Sequence, residues 1–494
     1  MMPSTTQGPT GQMTASPSSE RTGPLAELRR VFDKQKASRW RVAKSTADER
    51  IAKLRRLRDG IWASRAQLEQ AIWDDFHKNP TETDITEVSP TISEIDHTIK
   101  HLHKWMKPVR VKTPLPLFGT RSKIKLEPKG MVLILSPWNY PFYLLICPLA
   151  AAIAAGNCCI LKPSSKVPHT AHYLKELIDG LFPEEEVALF EGGHDVSDAL
   201  LEMPFDHVFF TGSPDIGKKV MAAAAKNLAS VTLELGGKSP AIVDETADLS
   251  QVASRLMWGK LVNAGQTCVA PDYALVHESR VDALVGECER AVAERYGVTE
   301  EDRKKSPDYC RLVSERHAQE LKKLLDDSVA AGAKIVMGGI SGDAGERYLS
   351  PTILTDVTED SPIMQQEIFG PILPIVRYSS LDDVFRLIQS RPKPLALYIF
   401  SADQKRIDRI LENTTSGGVT VNNTIIHLLN PELPFGGVGN SGQGNYHGHF
   451  GFRSMSHERA VMSQGRPELE HLAYPPYVEK VKKRITDAMK YLMK

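Results

Sequence analysis

With 494 residues the chain is longer than one ordinary core, so two or more domains are expected. Its composition is that of a globular protein, 41% hydrophobic and 25% charged, and 61 Lys+Arg balance 61 Asp+Glu to a formal net charge of zero. That balance argues against nucleic acid as a partner and against electrostatic steering of a charged substrate, and no run of 18 apolar residues is available to span a membrane.

In chain order, residues 1–24 are rich in Ser, Thr, Pro and Gly, with Glu20 and Arg21 as the only charges. They lack the apolar core of a signal peptide and the arginines of a transit peptide, so a disordered tail is expected. Residues 25–106 read as helical and charged. Thr46 and Glu49 have capping-box spacing, and Ile92 to Met106 forms another helical stretch ended by Pro108 nearby. Residues 107–127 are broken by proline and alternate basic with apolar side chains, as an extended, edge-exposed segment does.

From 130 the chain alternates strand and helix. Met131–Leu135 and Cys158–Leu161 are short apolar runs with an Ala-rich helix between them that ends at Gly156-Asn157. Then follow a helix over 169–181, Val187–Phe190, a short helix near 196–202, His207–Thr211, a helix over 215–227 and Val231–Leu235. This alternation predicts an α/β fold built on a doubly wound parallel sheet covered on both faces. A second α/β series has helices over 249–262, 280–296, 315–331, 381–389 and 403–413. Its strands fall at 273–277, 334–337, 372–378, 395–400 and 418–422, with no repeat of fixed period. In the tail, Val478, Val481, Ile485, Met489 and Leu492 recur at helical spacing among Lys480, Lys482, Lys483, Arg484 and Lys490. Such a basic amphipathic helix can meet an anionic membrane, but docking on its own protein or on a partner subunit is the expectation.

Two segments carry the chemistry. Cys268 sits in Gly265-Gln266-Thr267-Cys268-Val269, where small and polar neighbours can present a nucleophilic thiol. Glu234 ends a strand in Leu233-Glu234-Leu235-Gly236-Gly237-Lys238, where a carboxylate can activate water against a covalent adduct. The six cysteines (Cys147, Cys158, Cys159, Cys268, Cys288 and Cys310) form no CxxC pair and lack disulfide-scaffold density. A reducing compartment, the cytoplasm, is expected, with Cys158 and Cys159 buried and inert.

Other motifs are weaker singly. Thr211-Gly212-Ser213-Pro214-Asp215-Ile216-Gly217 links a strand to a helix, whose N-terminal amides attract phosphate; a tight turn with close helix packing is the bland alternative. In Ser136-Pro137-Trp138-Asn139-Tyr140-Pro141, Asn139 can offer its amide to an oxyanion or merely cap the next helix. Lys162, at the end of its strand in Leu161-Lys162-Pro163-Ser164-Ser165-Lys166, suits a nucleotide ribose or phosphate or is simply an exposed lysine. Gln366-Glu367-Ile368-Phe369-Gly370 places a carboxylate and an aromatic before a strand, or a salt-bridged loop glutamate. Tyr446, His447 and His449 lack the third and fourth ligands a zinc site needs, so a structural or subunit-contact loop is expected and no metal.

Over roughly residues 25–465 these motifs closely resemble the NAD(P)-dependent aldehyde dehydrogenase superfamily, most nearly its class 3 branch of fatty and aromatic aldehyde dehydrogenases. The matching segments are Ser136–Phe142, Ala154–Ser164, Phe210–Gly217, Val231–Pro240, Gly265–Tyr273, Gln366–Pro371, Pro394–Phe400 and Leu433–Gly444. The resemblance implies Cys268 as nucleophile, Glu234 as general base and Asn139 as oxyanion donor. It implies cofactor contacts from Trp138, Lys162, Ser165, Gly212, Ser213, Gly217, Gly236, Glu367 and Phe369, and substrate contacts from Trp258 and Tyr140. It further implies an NAD(P)-binding domain (25–106 and 128–234), a catalytic domain (235–425), a β oligomerisation arm (107–127 and 426–463) and a C-terminal tail (464–494). The expected assembly is a homodimer acting on a small aldehyde.

Two departures qualify the match. Many NAD-preferring relatives carry Glu where Ser165 stands, so the loss of that charge beside Lys162 and Lys166 favours acceptance of NADP, with NAD the alternative. Class 3 relatives often have paired tyrosines after a Lys-Asn motif, whereas Lys78-Asn79-Pro80 here leads into Thr81–Ile85, leaving the tunnel mouth open. The rival functions are a CoA-acylating dehydrogenase, a cofactor-free thiol esterase and a non-enzymatic structural protein on the same fold.

Overall fold

The computed structural model describes residues 24–339, 344–467 and 474–492. Of the tail expected over 1–24, only Pro24 is described, as the first residue of the helix Pro24–Ala43; the rest lies outside the described residues. The capping box forms as expected. Thr46 accepts from the Glu49 amide and the Glu49 carboxylate from the Thr46 amide, opening the helix Ala47–Ala63.

Along the chain, Val109–Val111 (β1) and Thr120–Pro128 (β2) lead into Met131–Leu135 (β3), Cys158–Lys162 (β4), Val187–Leu189 (β5), His207–Gly212 (β6) and Ser230–Leu235 (β7). Pro240–Val243 (β8), Tyr273–His277 (β9), Lys334–Met337 (β10), Thr352–Thr355 (β11), Ile372–Tyr378 (β12), Ala396–Phe400 (β13) and Gly418–Val421 (β14) follow. Gly442–Gln443 (β15) and Ser456–Gln464 (β16) complete the set.

The first sheet has the order β15-β7-β6-β3-β4-β5, and every pairing is parallel except that of β15. Its register positions the chemistry. Leu135 lies opposite both Lys162 and Phe210, and Thr211 lies opposite Glu234, so four strands end along one carboxyl edge. β3 and β4 are buried at all five positions, as strands covered on both faces must be. The Ala-rich helix Tyr143–Ala155 packs wholly buried and stops at Gly156, whose φ of 89° is open to glycine at little cost.

The second sheet has the order β10-β11-β12-β9-β8-β13-β14, parallel except for β10. Two of its strands, β8 and β11, were not predicted. Each is only four residues long and entirely buried, and neither shows the alternation that marks a half-exposed strand. β8 nevertheless joins β9 to β13 at the middle of the sheet.

A third, antiparallel sheet pairs β1 with β2 and β2 with β16, including the edge-exposed segment expected at 107–127. The C-terminal helix forms over Glu479–Leu492. Among the described residues nothing covers its apolar face, since Val478, Ile485 and Met489 are exposed, so docking on its own chain is not seen.

Candidate active site

The loop carrying Cys268 is held in an unusual backbone state. After the helix Leu249–Leu261, three successive residues turn left-handed: Asn263 (φ 54°), Ala264 (φ 51°) and Gly265 (φ 75°). Such conformations cost of order 1 kcal/mol or more for non-glycine residues, so the surroundings must enforce them. Asn263 donates its amide to the carbonyls of Asn139 (2.8 Å) and Gln266 (3.2 Å). Gln266 accepts from the Val313 amide (2.8 Å) and donates to the Arg311 carbonyl (3.1 Å). The Thr267 hydroxyl meets the Tyr140 hydroxyl at 2.7 Å. Cys268 therefore follows a fully anchored turn and is half-buried, whereas the other five cysteines are buried.

Cys268 and Glu234 line the same cavity of about 220 Å³, although one comes from a loop and the other from β7, 34 residues earlier. Burial, then the nearby Glu367 and Glu234 carboxylates, pushes the Cys268 thiol up to about 12, against the pull of the backbone amides of Cys268 and Val269. Glu234 is the penultimate residue of β7 and is buried, and neither carboxylate oxygen has a hydrogen-bond partner among the described residues. Burial holds its carboxyl well above the usual carboxylate range. A carboxylate that is unpartnered and hard to ionise is a strong base once it does ionise. Asn139 does not cap the following helix, whose N-cap is Phe142. It is buried, and its amide donates to the Gln266 carbonyl at 3.0 Å, leaving its second N–H free of that bond.

The carboxyl edge of the first sheet offers the features a dinucleotide needs. The helix Pro214–Ala225 starts at Ser213 with no side-chain cap, so its first amides remain available to phosphate. Gly217 lies so close to β7 that a Cβ there would come within 2.6 Å of Leu235. The Ser136 and Thr211 hydroxyls are buried without partners among the described residues. Lys162 is buried, not a surface lysine; burial lowers its pKa and Asp195 opposes that. Ser165 and Lys166 are exposed beside it, with the Lys166 ammonium 5.5 Å from the Trp138 ring centroid. Trp138 meets Phe369 edge-on at 5.2 Å, and Phe369 itself is left-handed at φ 53°. Glu367 is pushed up to about 8, first by burial and then by Asp272, while the Gly237 amide and two lysines oppose the shift. Gly236 faces it so closely that any Cβ would strike the Glu367 carboxylate. These residues fit a nicotinamide dinucleotide.

The rest of the cavity is apolar. Trp258, Tyr140, Leu144, Ile425 and Leu428 line it, and Ile85 and Thr86 come from the segment that follows Lys78-Asn79-Pro80. Lys78 is fully buried, 3.0 Å from an equally buried Glu87, with its ammonium 4.5 Å from the Tyr140 ring centroid. Glu87 also accepts from the amides of Phe142 (3.0 Å) and Tyr143 (3.3 Å). Breaking a buried pair costs about 3–5 kcal/mol. Lys78→Met is therefore expected to lower unfolding free energy by about that amount, read from the urea midpoint; a change within ~0.5 kcal/mol would show that the pair is not structural.

Sequence reasoning missed Thr211, Phe435, Tyr446 and His447 as cavity residues. Gly442 pairs with Glu234 itself, so the glycine-rich segment folds back on the strand that bears the carboxylate. The signal was present, since Tyr446 and His447 directly follow that segment. Of the structural and subunit-contact roles expected for this loop, His447 has contacts of the structural kind: it is buried, bonds the Tyr143 hydroxyl (3.1 Å) and faces Glu94 (3.5 Å).

A family model described as the aldehyde dehydrogenase family matches residues 21–461. The 4,4'-diaponeurosporen-aldehyde dehydrogenase of Staphylococcus aureus is 46% identical over 88% of this chain and 93% of its own. Aldehyde dehydrogenase family 3 member B2 of Mus musculus is 43% identical over 94% of this chain and 95% of its own. Among solved structures, a substrate-bound state of Staphylococcus aureus AldH superposes with a TM-score of 0.89 at 43% identity, covering 94% of this chain and 99% of that one. A Mycobacterium tuberculosis aldehyde dehydrogenase complexed with NAD+ gives 0.82 at 25% identity, covering 90% and 92%.

Proposed function

The chain belongs to the aldehyde dehydrogenase family and oxidises aldehydes with a nicotinamide cofactor, and on that premise we propose that Cys268, Asn139 and Glu234 carry the reaction. The observation that supports this most is the shared cavity, lined by Cys268 from the loop at 262–269 and by Glu234 from β7 of the first sheet. Once its S–H proton has passed to solvent, the Cys268 thiolate adds through Sγ to the aldehyde carbon, and the resulting oxyanion is held by the amides of Asn139 and of Cys268 itself. The cofactor supplies the hydride acceptor. Loss of hydride from that carbon leaves a thioester on Cys268. Glu234 takes a proton from water, the hydroxide adds to the thioester carbonyl, the C–S bond breaks, and the acid leaves with the thiol restored. Trp258 and Tyr140 position the substrate, and the apolar lining favours an aldehyde with an apolar body.

NADP is the preferred cofactor in this reading. Ser165 brings no negative charge, and Lys162 and Lys166 flank it in the chain with positive charge. Trp138, Gly212, Ser213, Gly217, Gly236, Glu367 and Phe369 complete the binding surface. Ser165→Glu is expected to cut kcat/KM for NADP at least about tenfold while sparing NAD, because a carboxylate repels a 2′-phosphate. Equal loss with both cofactors, or none, would refute the charge argument. The enzyme is further proposed to be a cytoplasmic homodimer. In it, 25–106 and 128–234 bind cofactor, 235–425 form the catalytic unit, and the arm of 107–127 and 426–463 mediates assembly. Exposed Val109, Leu115, Phe118 and Met462 on or beside the antiparallel sheet support that arm.

A further inference from the structure

From the juxtaposition of His97, His101 and Glu432 we infer a divalent transition-metal site of the zinc class that ties the loop at the substrate cavity to the helix Ser89–Trp105. The two histidines lie one turn apart on that helix, and Glu432 comes from the turn that follows the 3-10 helix Ile426–Leu429. One ligand atom from each lies within 4.8 Å of the others. His97 Nε2 is 3.5 Å from Glu432 Oε1. Tetrahedral zinc with bonds of about 2.0–2.1 Å separates its ligand atoms by roughly 3.4 Å, so this pair already stands near the required spacing.

The tautomer of His101 is set for ligation. Its Nδ1 lies 2.8 Å from the His97 carbonyl, which can only accept, so Nδ1 carries the proton and Nε2 keeps its lone pair. The His101 ring also stacks on Trp105 at 17° and 5.7 Å, and His97 lies over His101 at 4.3 Å between centroids, so neither ring turns freely. Two imidazoles and a carboxylate form a donor set suited to zinc, with a fourth position left for water.

The location gives the site a consequence. Leu428 and Leu429, the last two residues of that 3-10 helix, line the cavity that holds Cys268. Pro431, beside Glu432, lines an adjoining opening with Ser89, Ser93 and Glu94 of the histidine helix. A metal bound by Glu432 and both histidines fixes this loop to the helix and stiffens the wall of the cavity. Metal binding itself is independent of aldehyde oxidation; only its effect on substrate access rests on that activity.

The test is titration of Zn2+ into the full chain bearing Cys268→Ala, which removes the half-buried thiol as a competing ligand. Saturation at one equivalent per chain is expected. Adding His101→Phe, which retains an aromatic ring against Trp105, or Glu432→Gln at an exposed position, is expected to weaken binding at least about tenfold. Zn2+ is also expected to slow amide hydrogen exchange across 426–433. Binding unchanged in both variants, or no saturable binding, overturns the site; binding that leaves exchange at 426–433 unaltered overturns the tether. Glu432→Gln provides the decisive arm if His101→Phe fails to fold.

Discussion

Cys268→Ala is expected to lower kcat on the order of 10^4-fold or more, because every covalent step passes through that sulfur. The same variant should bind the nicotinamide cofactor unchanged, since Cys268 belongs to the loop at 262–269 and not to the carboxyl edge of the first sheet. Its stability should move by about 1 kcal/mol or less, as the side chain is half-buried. A thiol held at about 12 by burial and two carboxylates is ionised to only about one part in 10^5 at pH 7. The thiolate is the reactive form, so alkylation of Cys268 without cofactor should rise about tenfold for each pH unit. Rapid, pH-independent alkylation near pH 7 would show that the thiol is not held up by burial and the two carboxylates. The positive charge of the oxidised nicotinamide opposes the two carboxylates, so its addition should raise the alkylation rate.

Glu234→Gln is expected to separate the two halves of the reaction. The substitution keeps the shape of a side chain whose oxygens make no hydrogen bonds among the described residues, so folding should be unaffected. Acylation should still release one equivalent of reduced cofactor in a burst, after which turnover falls about 10^2- to 10^4-fold. Mass spectrometry of the stalled enzyme should find the acyl group on Cys268. The sign of the pH dependence follows from burial, which raises the Glu234 pKa and leaves the carboxyl protonated at the acid end. Only the carboxylate accepts a proton from water, so deacylation of the parent enzyme should rise with pH through that raised pKa, and the Gln variant should lack this limb. A variant with no burst would move Glu234 to an earlier step, as base for the thiol. Acyl transfer to added CoA in preference to water, in the parent enzyme, would instead favour the acylating reaction.

Much of this was legible in the chain. The alternation from Met131 to Leu235 is long and strongly patterned, and buried β3 and β4 are as apolar as parallel strands should be. The segments around Cys268 and Glu234 were identifiable because their residue types and spacing are rare together. Local sequence could not tell whether Asn139 capped a helix or faced the nucleophile loop, since both roles use the same amide. Lys162 was likewise ambiguous, because exposure depends on what packs over a strand end and not on the strand.

The fold class, the two α/β series and the choice of Cys268 and Glu234 as candidates came from the linear chain, since periodicity and short motifs are properties of neighbouring residues. Only tertiary structure decided that Gly442 pairs with Glu234, and that Tyr446 and His447 wall the cavity. It alone brought Glu432 beside His97 and, among the described residues, left the apolar face of the C-terminal helix uncovered. Those outcomes depend on segments far apart in the chain meeting at a sheet edge, and on burial shifting the ionisation of groups whose neighbours the linear order does not reveal.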